Sequence, residues 1–252
     1  MIEQWHMPVS GLRPDFNRRI YICQPSGYDE QPEKCYPVFY LFDGQNLFFD
    51  DDASFGKSWN LGKFMEESRA ECILVGIESS PFGNDRLCEY SPFSYTEEEL
   101  GNIDKRADKT IRFILDELKP KIDSCYRTIP DREHTYIGGS SMGGLISLYA
   151  VTAYNSFFSK ALCLSPSLWV HPKKVRKMLR KTSPQPHTQI YMDYGSEELG
   201  NHEHNREALL EAASLLLNMD VDLTFRIEPY GTHSEASWEQ RIPIFMRCLG
   251  IA

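Results

Sequence analysis

The sequence predicts an α/β protein with a mostly parallel central sheet and helices on both faces. Short apolar runs of strand length alternate with longer helical patterns, several of the runs are apolar throughout, and the helical patterns have one apolar side. Alternation of strand and helix is typical of a parallel sheet, and strands covered on both faces are continuously apolar. A chain of 252 residues fits one such unit, and we expect a single domain over residues 1–252.

Each predicted element rests on a local pattern. Strands are predicted, from short apolar runs, at residues 18–24, 38–42, 72–77, 135–138, 160–164, 189–193 and 221–227. Helices are predicted at residues 61–67, 104–124, 143–154, 173–181, 202–218 and 234–249. In the second helix, Ile111, Leu115, Leu118 and Ile122 recur at helical spacing, so one side of this helix is expected to pack on the sheet.

Two segments interrupt the regular alternation. Pro243 lies inside the last helical pattern, and because proline lacks the amide of the helical ladder, we expect that helix to begin near Pro243 or to kink there. Residues 79–101 are rich in Pro, Gly, Ser and acidic side chains. They are predicted to form a long irregular loop over the site.

Charge limits the classes of partner. The 36 acidic residues outnumber the 27 basic ones and give a formal charge of -9, which repels a phosphate backbone, so no nucleic-acid partner is expected. The basic cluster at residues 173–181 alternates with apolar residues and indicates the solvated face of a helix. No apolar run reaches the ~18 residues of a membrane span, so no membrane partner is expected. The sequence is compatible with a homodimer.

The cysteines and the first residues bear on the compartment. Seven cysteines are scattered, mostly within apolar runs, which fits free thiols in a reducing compartment better than a disulfide framework. Residues 1–11 lack the basic start and the apolar run of a secretory signal. We therefore expect a cytoplasmic protein.

The strongest signal for chemistry is Gly-Ser-Ser-Met-Gly at residues 139–143. This G-x-S-x-G pattern lies between a predicted strand and a predicted helix, the context in which a sharp turn presents a nucleophilic serine. The glycines are needed because a side chain there would collide with the crossing backbone. Ser141 is therefore predicted as the nucleophile of a serine hydrolase. A serine that only caps the helix and Ser140 as nucleophile are the alternatives, although the frame selects Ser141.

Two backbone amides are predicted to stabilise the oxyanion. Met142 follows the nucleophile at a helix N-terminus, where the positive end of the helix dipole lies. The second donor is expected in the turn Asp43-Gly44-Gln45-Asn46 after a predicted strand, and we assign it to the amide of Gln45. An ordinary β-turn would carry the same Asp-Gly pair.

His233 is predicted as the general base. In hydrolases with this turn, the order along the chain is serine, acid, histidine, and the histidine lies in a loop after the last strand. His233 follows the strand predicted at residues 221–227 and precedes a helix. A loop histidine without a catalytic role is the alternative.

The acid is expected just beyond the strand predicted at residues 189–193. We predict Glu197, because Gly195 permits a tight turn that would deliver this side chain towards the histidine loop. Asp193 is the alternative acid, and Glu198 is expected to be solvated. Geometry, rather than residue order, decides this role.

Longer stretches of the chain resemble the putative-esterase family of α/β-hydrolases, which includes esterase D, enterochelin esterases, feruloyl esterases and mycolyltransferases. The resemblance is carried by residues 36–48, Trp59 and residues 86–92, 138–145, 164–169 and 191–197. It implies an α/β-hydrolase fold, a triad of Ser141, His233 and Glu197, and oxyanion amides from Gln45 and Met142. Esterase D relatives have His-Gly where this chain has Asp43-Gly44, which argues against a formylglutathione activity.

The resemblance also implies substrate contacts. Trp59, Arg86 and Trp169 fall where members of the family line the acyl or alcohol pocket. Core packing of the two tryptophans and anchoring of a loop by Arg86 through Glu89 are the alternatives. The expected function is hydrolysis of a small acyl ester, such as a carbohydrate or siderophore ester, without a metal or organic cofactor. Acyl transfer to an alcohol and a non-catalytic binding module are the other hypotheses.

Overall fold

A computed structural model describes residues 2–98, 100–198 and 203–252. The strands within these residues are β1 Ile2–Met7, β2 Arg18–Cys23, β3 Val38–Phe42, β4 Ile73–Ile77, β5 Tyr95–Glu97, β6 Gly101–Ile103, β7 Thr135–Ser140, β8 Lys160–Leu164, β9 Thr188–Gly195 and β10 Val221–Glu228. Eight of the described strands form one sheet in the order β1-β2-β4-β3-β7-β8-β9-β10. Only the pairs β1–β2 and β2–β4 of this sheet are antiparallel. The predicted α/β class with a mostly parallel sheet is confirmed.

The helices of the described residues are α1 Leu61–Ser68, α2 Asp85–Tyr90, α3 Ala107–Phe113, α4 Lys119–Cys125, α5 Met142–Ala153, α6 Pro172–Leu179, α7 Glu203–Leu217 and α8 Glu235–Cys248. All six predicted helices correspond to helices of the structure. Residue 202, the first of the helix predicted at 202–218, lies outside the described residues. Within the part of the chain that is described, no helix is both long and apolar enough to cross a bilayer.

The sheet separates two apolar cores. Alternate residues of β3 face opposite sides: Val38 and Tyr40 join one core, which also contains buried residues of α3, α4 and α5, whereas Phe39 and Leu41 join the other. Buried residues of α1 and α8 belong to this second core. Both faces of the strand are therefore covered, which explains why the run at residues 38–42 is apolar throughout.

Four of the described strands and helices, β1, α2, β5 and β6, lie where the sequence predicted no regular structure. β1 is an edge strand whose side chains are mostly half-buried or exposed, and it pairs with β2 through its backbone. Its sequence therefore lacks the apolar run that marks a central strand. Residues 79–101, predicted to be an irregular loop, contain α2 and β5, and β5 pairs with β6 in a small hairpin.

The two helix-interior prolines have different consequences. Pro243 lies within α8, which begins at Glu235 rather than near the proline. The start of α8 is set by Ser234, whose side chain accepts a hydrogen bond from the amide of Ser237 at 3.4 Å. Pro120 lies just after a π-helical turn, Ile114–Leu118, that joins α3 to α4. A proline removes one rung of the helical ladder, and a π-turn is one way for a helix to continue past it.

Candidate active site

Ser141 lies at a sharp turn between β7 and α5. Its backbone has φ 57° and ψ -121°, a conformation that residues other than glycine rarely adopt. The turn is held by its amide, which donates to the Leu164 carbonyl at 2.9 Å, and by its carbonyl, which accepts from the Ser167 amide at 3.0 Å. A Cβ added to Gly139 would lie 3.0 Å from the backbone of Gly143, so the turn needs glycine there. The predicted strand-turn-helix context is thus present.

The hydroxyl of Ser141 faces a cavity of about 460 Å³. Its Oγ lies 3.2 Å from the Oγ of Ser167. His233 lines the same cavity, as does Gln45. The nucleophile, base and one oxyanion residue predicted from distant parts of the sequence therefore meet at the carboxyl ends of parallel strands, where α/β sheets place their ligand sites.

The two predicted oxyanion residues sit at helix starts. Met142 is the first residue of α5, so its amide has no carbonyl one turn earlier within the helix. Gln45 lies in a single 3₁₀ turn, Gly44–Asn46, after β3. Its side chain is held by Ser79, whose hydroxyl lies 3.0 Å from Nε2 and whose amide donates to Oε1 at 3.1 Å. This bracing fixes the turn that carries the Gln45 amide.

The same turn is tied to α2 by a charged pair. Arg86 donates to both carboxylate oxygens of Asp43, at 2.7 and 2.8 Å. The guanidinium also lies 5.2 Å from the ring centroid of Tyr90, whose hydroxyl accepts from the Asp43 amide at 3.2 Å. Asp43 itself has φ 57° and leads into the Gln45 turn. Asp43, Arg86 and Tyr90 thus hold one another beside the predicted oxyanion site.

His233 is held by the carboxylate of Glu198. The Nδ1 atom of His233 lies 3.0 Å from Oε2 of Glu198, whose side chain is fully buried. A backbone contact brings the two loops together: a Cβ added to Gly195 would lie 2.2 Å from the carbonyl oxygen of Gly231, so the approach requires glycine. The rings of Trp238 and His233 pack in a T-shaped contact, with ring centroids 5.0 Å apart.

Glu197, predicted as the acid, does not contact the imidazole. Its side chain is exposed, and its amide donates to the Gly231 carbonyl at 2.9 Å. In the turn after β9, the Glu198 amide donates to the Gly195 carbonyl at 3.3 Å. This turn directs the Glu198 side chain back to the end of the strand, where it accepts from the Gly195 amide. The carboxylate that contacts the imidazole is therefore Glu198 rather than the predicted Glu197, and Glu198 is buried, whereas it was expected to be solvated.

Asp193, the alternative acid, is engaged elsewhere. Its Oδ1 accepts from Nη1 of Arg241 at 3.0 Å, and its Oδ2 accepts from the Tyr191 hydroxyl at 3.1 Å. Both members of the ion pair are almost completely buried. Burial raises the pKa of the Asp193 carboxyl to about 6, and Arg241 and Tyr191 oppose this rise. Asp193 therefore pairs with Arg241 and Tyr191 and does not contact His233.

The three predicted substrate contacts have different positions. Arg86 lines the cavity, with its guanidinium held by Asp43. Trp59 is 2% exposed and packs on Trp238 and Phe245, so it is a core residue behind the cavity wall. Trp169 is 36% exposed and is not among the residues that line the cavity. Arg86 does anchor its segment through a carboxylate, as the alternative expected, but the carboxylate is that of Asp43. Glu89, the partner expected for Arg86, is paired with Arg18 at 2.5 Å.

Other cavity residues were missed by sequence reasoning. They are Asn46, Ser54, Phe55, Ser234, Glu235 and Trp238. Asn46 Nδ2 donates to Oε1 of Glu235 at 3.2 Å, and burial raises the pKa of the Glu235 carboxyl. These residues follow Gln45 or His233 closely along the chain, and this proximity could have predicted that they line the cavity. Their residue types alone could not.

This fold and this strand-turn-helix serine define the class of the protein as an α/β-hydrolase with esterase relatives. Residues 13–246 match the model of the family described as Putative esterase, and the chain belongs to this family. The suspected family is therefore confirmed, and with it a carboxylic-ester hydrolase class.

Individual relatives agree with the family. The uncharacterized protein YbbA of Bacillus subtilis is 26% identical over 185 residues, which cover 72% of this chain and 69% of YbbA. The ferri-bacillibactin esterase BesA of the same species is 27% identical over 205 residues, which cover 74% of this chain and 67% of BesA. The crystal structure of an IroE-like serine hydrolase from Shewanella oneidensis superposes with a TM-score of 0.77 at 23% identity, covering 99% of this chain and 79% of that one. The last likeness shows the fold.

Proposed function

We propose that this esterase uses Ser141 as nucleophile, His233 as general base and Glu198 as the acid that orients the histidine. The backbone amides of Gln45 and Met142 serve as the oxyanion donors. One observation carries the proposal: the imidazole that lines the cavity beside Ser141 is held at 3.0 Å by a fully buried carboxylate. A nucleophile, a base and a group that orients the base form the arrangement of serine hydrolases on unrelated folds.

In the first half of the reaction, Oγ of Ser141 attacks the ester carbonyl carbon while Nε2 of His233 takes the hydroxyl proton. The carbonyl electrons move to the oxygen, which then accepts hydrogen bonds from the two amides. When the tetrahedral intermediate collapses, the C–O bond to the alcohol breaks. The imidazolium gives its proton to the leaving alcohol, and the acyl group stays on Ser141.

In the second half, water replaces the alcohol. Nε2 of His233 takes a proton from water as the water oxygen attacks the acyl carbon, and the same amides again hold the oxyanion. Collapse releases the carboxylic acid and returns the proton to Oγ of Ser141. Because the same groups act in both halves, an alcohol in place of water would give acyl transfer.

The substrate that we propose is a small acyl ester, with siderophore and carbohydrate esters as the first compounds to screen. The cavity wall combines ring surfaces of Phe55 and Trp238 with polar groups of Asn46 and Ser54. A volume of about 460 Å³ accommodates one acyl unit with part of its alcohol. The name of the relative BesA supports including a siderophore ester. All seven cysteines are free, which supports a cytoplasmic location.

The test is Ser141→Ala against wild type. Turnover of p-nitrophenyl acetate and labelling by a fluorophosphonate probe should both disappear in the variant, while its circular dichroism spectrum and Tm stay close to those of wild type. The proposal fails if Ser141→Ala keeps wild-type turnover, or if active wild-type protein is labelled at another residue. Product analysis with added glycerol distinguishes hydrolysis from acyl transfer.

A further inference from the structure

The Glu198 carboxylate is the end of a buried chain of hydrogen bonds. Its Oε1 accepts from the Gly195 amide at 2.8 Å and from the Ser165 hydroxyl. Its other oxygen, Oε2, faces Nδ1 of His233. The two oxygens of Glu198 thus have separate partners, and only one of them meets the histidine.

The direction of the Ser165 hydroxyl follows from its other partners. Its Oγ accepts from Nε1 of Trp238 at 3.0 Å and lies 3.2 Å from Nη1 of Arg241. An indole N–H and a guanidinium can only donate, whereas a hydroxyl has two acceptor sites and one proton. Because Trp238 and Arg241 fill both acceptor sites, the proton of Ser165 is left for Glu198.

This direction determines the neighbouring protons as well. An Oε1 atom that accepts from both Gly195 and Ser165 has no free lone pair to carry a proton. These two donors and the Arg241 guanidinium, 3.6 Å from Oε1, favour the charged carboxylate, whose remaining oxygen, Oε2, then accepts from Nδ1 of His233. The other ring nitrogen, Nε2, is left with the lone pair that a general base needs.

We propose that Ser165 is a positioning residue that fixes the proton of His233 on Nδ1, with Trp238 and Arg241 setting the direction of its hydroxyl. This inference rests on the proposed function and extends it to residues that the triad does not include. Ser165 touches neither the nucleophile nor the cavity, and it acts on the base through the Glu198 carboxylate.

The backbone at Ser165 supports a specific role. Ser165 follows β8 with φ 45°, a conformation that is rare outside glycine. Its amide donates to the Asp193 carbonyl at 3.0 Å, which keeps the residue in this conformation. Strained residues of this kind are retained where the surrounding structure fixes them, often beside functional groups.

The charges around the Glu198–His233 pair come from two elements. Arg241 on α8 lies 3.6 Å from Oε1 of Glu198 and is shared with Asp193 on β9. Glu235 on α8 is near enough to His233, and Tyr194 on β9 to Glu198, for their electrostatic interaction to contribute. Ser165→Ala removes the donor to Glu198 and also the acceptor of Trp238 and Arg241, while Arg241 keeps its pairing with Asp193.

Ser165→Ala tests the inference, with Ser159→Ala as the matched control. Ser159 is also buried, precedes the same strand at its opposite end, and donates to the Glu133 carbonyl at 3.1 Å. A carboxylate that loses a donor becomes more basic, so the Glu198–His233 pair should take up a proton at higher pH. We expect the acidic limb of the kcat/KM profile of Ser165→Ala to move up by roughly half to one pH unit, and kcat to fall about tenfold to a hundredfold. Ser159→Ala should leave the limb in place.

A second measurement does not need turnover. In ¹H–¹⁵N spectra of the histidine ring, assigned by comparison with His233→Asn, wild type above pH 8 should show His233 protonated on Nδ1 alone. In Ser165→Ala the Glu198 carboxylate loses one of the contacts that orient it and can turn away from Nδ1, so this variant should show a mixture of the two tautomers. An Nε2-protonated wild type, or a limb and tautomer unchanged in Ser165→Ala, overturns the role of Ser165. Full turnover by Ser141→Ala would instead refute the proposed function, and the spectra would still decide the tautomer.

Discussion

Glu198 is a fully buried carboxylate with hydrogen-bond partners in three segments of the chain. Glutamine at this position would keep the size, but its oxygen would take the place that accepts from Ser165 and Gly195, and its N–H group would face Nδ1. The wrong histidine tautomer would then be favoured. We expect Glu198→Gln to lower kcat by about 10³-fold, measured with p-nitrophenyl acetate.

Glu197→Gln is the matched control for that experiment. Its side chain is exposed, and its contact with the histidine loop is made by the backbone amide. We expect kcat within a factor of about two of wild type, as for a surface substitution. Equal losses in the two variants would contradict the assignment of the acid to Glu198.

Arg86 provides a second prediction for a single side chain. Its planar fork contacts both oxygens of Asp43, which leads into the turn of the Gln45 amide. Lysine keeps the charge but cannot make the paired contact. If the pair positions the oxyanion turn, Arg86→Lys should lower kcat about tenfold with little change in KM, whereas a substrate-binding role would mainly raise KM. Steady-state kinetics with a series of acyl chain lengths separates the two results.

Two elements of the fold meet where the turn after β9 contacts the loop after β10. Gly195 ends β9, and its Cα lies directly under the Gly231 carbonyl of the loop that follows β10. A methyl group at Gly195 would push the two loops apart, so Gly195→Ala should lower both the free energy of unfolding and kcat. Gly83→Ala is the control, because its added Cβ would meet nothing within 4 Å and only its φ of 48° is unfavourable. Similar kcat losses in both variants would refute the explanation.

Elements and site residues were not equally predictable from the sequence. Strands such as residues 38–42 and the turn around Ser141 were predicted because their patterns are local: continuous apolarity and glycines beside a serine. His233 followed from its place after the last strand. The choice between Glu197 and Glu198 was not local, because it depends on how the Gly195 turn closes against another loop.

The same reasoning explains the missed supporting residues. Ser165 follows a predicted strand end, a place that could have drawn attention, but its partners Trp238 and Arg241 are more than seventy residues away. For Trp59 the sequence position predicted a pocket residue, but its ring packs behind Trp238, which itself lines the cavity. Long-range contacts of this kind leave no periodic or spacing signal in one sequence.

At the scale of the whole molecule, the buried Asp193 affects stability. Its pKa is raised by burial to about 6, against ~3.9 for an unfolded chain, so between these values the folded protein binds this proton more tightly. The stabilisation is complete below about pH 4 and is lost as pH rises through about 6. The difference in unfolding free energy between wild type and Asp193→Asn should fall by about 2–3 kcal/mol over this range and then stay level. Urea denaturation across pH measures it, and a difference that grows with pH would contradict the shift.

The T-shaped contact between Trp238 and the imidazole has an optical consequence. An indole 5.0 Å from a ring that gains a positive charge on protonation should change its emission as that charge appears. The intrinsic fluorescence of the protein should therefore titrate with His233, without added dye or substrate. Trp238→Phe should remove this component and leave the signals of Trp5, Trp59 and Trp169. The fold thus supplies a built-in spectroscopic probe of the protonation state of His233.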